Sequence, residues 1–65
     1  MLKIKYNREV DILYIRLTDA QIEESDEDRP GVIIDYDAEG MMVGIEIMNA
    51  SKRISRPATV ELEIA

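Results

Sequence analysis

The 65-residue chain contains neither cysteine nor histidine. The first absence excludes a disulfide framework and fits a reducing compartment. Together the two exclude a zinc site of thiolates and imidazoles. They also remove the Ser-His and Cys-His pairs of nucleophilic catalysis. Glycine is scarce: Gly31, Gly40 and Gly44 stand apart, so no glycine-rich loop is available to cradle a phosphate. Long apolar runs are missing as well. The longest, Ile12 to Ile15, has four residues, far short of the roughly 20 that span a bilayer. The opening Met1-Leu2-Lys3-Ile4-Lys5-Tyr6 alternates apolar and charged residues, unlike the continuous apolar stretch of a signal peptide. These absences lead us to expect a soluble, cytoplasmic protein with no membrane association, no cofactor and no metal.

Positive charge is also limited. Lys and Arg number 8 against 14 Asp and Glu, for a net charge of −6. Residues 1–18 carry +2, residues 19–40 carry −8, and residues 41–65 balance. Phosphate contacts supply most nucleic-acid affinity, so no nucleic-acid partner is expected. A basic protein is the partner that the acidic segment 19–29 suits. The basic group Lys52, Arg53 and Arg56 reads as compensation of a helix dipole and of that acidic segment.

The dominant period in the chain is two, the strand period. Leu2, Ile4 and Tyr6 alternate with Lys3 and Lys5, and Leu13, Ile15 and Leu17 oppose Ile12, Tyr14 and Arg16. Asn7 opens a loop between these runs, so residues 2–17 read as a hairpin. Residues 18–31 are acidic and read as a solvated connector, with room for a short edge strand around Ile22. Val32-Ile33-Ile34-Asp35-Tyr36 and Met42-Val43-Gly44-Ile45-Glu46-Ile47-Met48 form a second hairpin around Asp37-Ala38-Glu39-Gly40, a type I turn with a left-handed glycine. Such a turn leaves a bulge, and the register after Gly40 is open. Gly44 within the strand points to a bulge or the close approach of another backbone. Asn49 caps a helix from Ala50 to Ser55, which Pro57 stops. Thr59 to Ile64 alternates as a last strand. The expected fold is α+β and mostly antiparallel β, a single domain of residues 1–65. It comprises two β-hairpins, one short helix near residues 49–56 and a C-terminal strand.

Two constellations carry potential chemistry. Asp35-x-Asp37-x-Glu39-Gly40 followed five residues later by Glu46 reproduces the spacing of a calcium-binding loop. That loop needs helical flanks, whereas these flanks are strand-like, so turn chemistry accounts for the match. Asp35 and Glu46 are the best pair for acid–base work, but a solvated strand carboxylate is the plainer reading. No catalytic residue is assigned.

The pieces Ile4-Lys5-Tyr6, Asp11-Ile12-Leu13-Tyr14-Ile15-Arg16-Leu17, Pro30-Gly31-Val32-Ile33-Ile34-Asp35-Tyr36-Asp37 and Val43-Gly44-Ile45-Glu46-Ile47-Met48-Asn49-Ala50-Ser51-Lys52-Arg53 resemble the prokaryotic family known as domain of unknown function 2283. The resemblance covers residues 2–54. It implies a small stand-alone prokaryotic protein, often encoded beside toxin-like partners, and brings no established activity, cofactor or catalytic residue.

A domain of this size buries only about 60% of its unfolded surface, and small domains add disulfides, metals or partner subunits. Only the last remains here. Both faces of its strands carry apolar residues, and Met41, Met42 and Met48 are adaptable packers. We therefore expect a non-enzymatic, self-associating interaction module, a two-fold dimer by preference. The candidate interface residues are Tyr14, Met42, Met48, Val60, Leu62 and Ile64. The alternatives are an antitoxin-like regulator that binds a small basic toxin and, third, a carboxylate-based enzyme.

Overall fold

The computed structural model describes residues 1–55 and 59–65. Five strands form one antiparallel sheet: β1 Lys3–Asn7, β2 Ile12–Arg16, β3 Glu24–Arg29, β4 Val32–Tyr36 and β5 Met42–Met48. Their spatial order is β1-β2-β5-β4-β3. A short helix, α1 (Ala50–Arg53), follows β5. The chain crosses from β2 to the far edge, then winds back through β3 and β4 until β5 lies beside β2. This is a Greek-key path.

Both expected hairpins form, and a third joins them. In the first, Asn7 Oδ1 accepts the amides of Glu9 and Val10 at 3.0 and 3.4 Å, and Asp11 takes a left-handed φ of 55°. In the β4–β5 hairpin, Asp37 Oδ1 accepts the amides of Glu39 and Met41, both at 2.9 Å. Gly40 has φ 79°, and Gly40 and Met41 together oppose Asp37, the bulge that such a turn requires. A second register shift, between Asp35 and Tyr36, leaves Val43 as an extra residue of β5. The acidic connector departs from expectation, because Glu24–Arg29 is an edge strand paired with β4. Pro30-Gly31 makes the turn: proline fixes the first corner and Gly31, at φ 81°, occupies the second. All six residues of β3 are exposed. Carboxylates are tolerated there because an edge strand exposes its side chains to water while its backbone bonds to one neighbour.

Two expectations at the carboxyl end need correction. Residues 59–65 form no strand, and Val60, Leu62 and Ile64 are exposed. Alternation selects faces, but a strand also needs a ladder, and this segment pairs with neither sheet edge. The helix is shorter than expected, and Asn49 supplies no side-chain cap; it sits left-handed at φ 52°. Arg56 and Pro57 lie outside the described residues. The cap comes instead from Asp11, 40 residues away. Its main-chain carbonyl accepts the Ala50 amide, and its carboxylate accepts the Ser51 amide at 3.0 Å and hydroxyl at 2.7 Å. Tyr6 donates its hydroxyl to Asp11 Oδ1 at 2.6 Å. At the other end Arg53 donates to the Pro30 carbonyl. Helix α1 thus runs along one end of the sheet, tied to the β1–β2 turn and the β3–β4 turn.

The core is centred on β5. Val43 is 1% exposed, Ala50 fully buried and Leu13 nearly so. Gly44 has the role its position suggests: a Cβ there would stand 2.8 Å from the main-chain oxygen of Ile15 on β2. That neighbour is backbone and cannot swing away. Gly44→Ala should therefore lower stability by about 2–3 kcal/mol, at the upper end of overpacking costs. Urea denaturation is the check, and an unchanged midpoint would show that β2 yields freely.

Candidate functional site

Register divides the sheet into two unlike faces, because directly paired residues point the same way. One face carries Ile4, Leu13, Ile15, Val32, Ile34, Ile45 and Ile47. The opposite face carries Lys3, Lys5, Tyr14, Arg16, Ser25, Ile33, Asp35, Gly44 and Glu46. The apolar face is not closed over. Leu13 is buried, but Ile15, Val32, Ile34, Ile45 and Ile47 are only half-buried, and Ile4 is 39% exposed.

The polar face has a built centre. Asp35 is 5% exposed, the one buried charged side chain among the described residues. Ser25 of β3 donates its hydroxyl to Asp35 Oδ1 at 2.6 Å. Gly44 lies directly across from Asp35, and its missing side chain leaves space beside Oδ2. Glu46 lies one pair further along β5. Burial pushes its carboxyl above the usual range, and a hydrogen bond to Asp35 and the charge of Asp35 add to the rise. A cavity of about 310 Å³ opens here, lined by Tyr14, Arg16, Ile22, Asp35, Gly44 and Glu46 among others. Arg16 forms its wall and anchors the connector, donating Nε to the Thr18 carbonyl at 3.0 Å and Nη2 to the Ala20 carbonyl at 2.7 Å. The sequence reading paired Asp35 with Glu46, and the fold places them together. Nothing in the sequence announces Ser25, because the strand that delivers it has the composition of a solvated connector.

The remaining sequence candidates are scattered. Tyr14 and Met48 are half-buried on the polar face. Met42, 40% exposed, pairs with Tyr36 beyond a bulge, on the side of Val32 and Ile34. Val60 and Leu62 lie beside Leu2 and Ile4, with a cavity of about 490 Å³ between them. Ile64 is 88% exposed. Residues 35–46 fold as strand, turn and strand, with Asp37 engaged by the turn amides. Among the described residues no group of three or more His, Cys, Asp or Glu is placed to hold a metal, and no helix is long and apolar enough to cross a membrane.

The model of a protein family described as "Protein of unknown function (DUF2283)" matches residues 3–51. No curated protein and no solved structure is matched by the chain.

Two sets of carboxyls give stability a pH profile. Glu46 titrates higher in the fold than its ordinary value of 4.5. Its contribution is full below that value and is lost as pH rises through the raised one. Asp11 titrates lower than its ordinary 3.8, held down first by the Tyr6 hydroxyl and then by Ser51. Its contribution is present above 3.8 and is lost as pH falls through the lowered value. Unfolding free energy should peak in mild acid. Denaturant curves of Glu46→Gln should lose the decline on the alkaline side while keeping the acid one; a profile unchanged by the substitution would contradict the assignment.

Proposed function

The chain belongs to the DUF2283 family of proteins of unknown function, and we propose that it is a non-enzymatic interaction module that works as a homodimer in a prokaryotic cytoplasm. The half-open apolar face carries this reading. The accessible surface of the chain is 5203 Å². A compact monomer of 7.4 kDa would expose about 4,200 Å² by the usual scaling with mass. The excess is on the order of the 800 Å² that each partner buries in a standard interface. Two-thirds apolar, that area would contribute about 13 kcal/mol per subunit at 25 cal/mol per Å². Association costs of about 4–15 kcal/mol leave a net gain for a pair of subunits.

The interface is centred on Ile15, Ile45 and Ile47, flanked by Val32 and Ile34. Tyr14 and Met48 lie on the other face, and Met42 pairs with Tyr36 at the rim of the apolar one. The exposed acidic strand β3 favours a second reading, in which its free edge receives a small basic protein, as an antitoxin would.

Light scattering at micromolar concentration should give twice the 7.4 kDa chain mass. Ile47→Asp should yield monomer, and Met48→Asp should leave the dimer intact. A monomer mass for the cooperatively folded parent chain would overturn the dimer. Loss of the dimer in Met48→Asp alone would move the interface to the polar face. A basic protein recovered from the native host, and lost when Glu24, Asp26 and Glu27 become lysine, would establish the second reading.

A further inference from the structure

We propose that the polar face binds a small zwitterion, a molecule carrying one protonated amine and one carboxylate. The site lies on the face opposite the dimer interface and does not depend on it. Two rows of residues cross the sheet there in register. One runs Lys5, Tyr14, Glu46, and the other runs Lys3, Arg16, Gly44, Asp35, Ser25. Each row passes from cation to carboxylate. With strands about 4.8 Å apart, the strands bearing Lys5 and Glu46 are separated by about 10 Å, a gap that the lysine side chain narrows. That distance suits a ligand whose two charges are several bonds apart.

The space exists as well. The cavity of about 310 Å³ lies over Gly44, and a second of about 180 Å³, lined by Lys3, Lys5, Tyr14 and Arg16, shares two of its walls. The first lies at the lower end of the range for small-molecule pockets. Asp35 is more than nine-tenths buried and lines it, yet no Lys or Arg among the described residues pairs with Asp35. A carboxylate so placed is costly unless a donor reaches it. Ser25 donates to Oδ1, and Oδ2 faces the gap over Gly44, 3.8 Å from where a Cβ would stand. An ammonium group has three donors, enough to meet Asp35 Oδ2 and Glu46 together. Lys3 and Lys5 likewise have no carboxylate partner among the described residues, and they would receive the ligand's anionic end. The Tyr14 ring and Ile22 form apolar walls between the two ends.

Selectivity follows from the arrangement. A simple amine meets the field of Lys3, Lys5 and Arg16, and a simple carboxylate meets Asp35 and Glu46. Only a molecule with both charges avoids an unfavourable end.

The test is amide-resolved NMR of the full chain titrated with 5-aminopentanoate, n-pentylamine and pentanoate in parallel. The aminopentanoate should shift the amides of Tyr14, Gly44 and Glu46, with an affinity at least tenfold above either control. Asp35→Asn should abolish the response. Because that variant disturbs a buried residue, Lys3→Glu/Lys5→Glu on the exposed strand gives a second arm, expected to weaken binding about tenfold. No shift at about 10 mM probe, weaker than the millimolar range of affinities, would overturn the proposal. So would equal binding of pentylamine, or an undiminished response in the double lysine variant.

Discussion

The sheet hangs on a single close approach. Gly44 lets β5 come so near to β2 that a methyl group would not fit beside the Ile15 carbonyl. This contact is the seam between two local units, the β1–β2 hairpin and the β3–β4–β5 meander. Each alone is a thin antiparallel piece with little to bury. Joined, they place Val43 at the centre, align the carboxylate of Asp35 with the void at Gly44, and make a sheet wide enough to have two faces. The end strap repeats the logic: Asp11 from the first unit holds the helix that extends from the second, and Arg53 ties it back to Pro30.

The two faces divide the physics. On one, branched aliphatic side chains line up with too little chain to cover them, so the favourable course is burial against another surface. On the other, charges are arranged in order rather than hidden, and a carboxylate is drawn inward by hydrogen bonds from a serine and a neighbouring acid. The same strands serve both, since successive residues of β2, β4 and β5 alternate between them. A substitution on one face can therefore be read almost independently of the other, apart from Gly44, where backbone spacing governs both.

Much of this was legible in the sequence because hairpins are local. Asn7 and the Asp37–Gly40 turn announce themselves through side chains that bond nearby amides, and alternation at 12–17 and 42–48 identifies strands. The family resemblance rested on these same strands, and the family match covers them. The acidic strand was hidden because its residues, Glu-Ser-Asp-Glu-Asp-Arg, have poor strand propensity and no apolar alternation. Its only signal was Pro30-Gly31, a turn signature placed directly before Val32. The carboxyl-terminal segment misled in the opposite sense, since Val60, Leu62 and Ile64 alternate without a ladder to join. Asp11 as a helix cap could not be read at all, because its partner lies 40 residues away. The pairing of Asp35 with Glu46 was accessible because both lie on one hairpin, whereas the neighbouring Ser25 and Arg16 arrive through the long crossing.

The outer strands of the sheet carry opposite charge: Lys3 and Lys5 on β1, and Glu24, Asp26, Glu27 and Asp28 against Arg29 on β3. The molecule therefore has a permanent electric dipole lying in the plane of the sheet and across its strands. Two copies drifting together sideways feel a torque as well as a force once they come within the screening length of about 8 Å at physiological salt. Like edges turn away from each other. A β1 edge and a β3 edge attract instead, so the dipole selects head-to-tail approach over the meeting of two like edges.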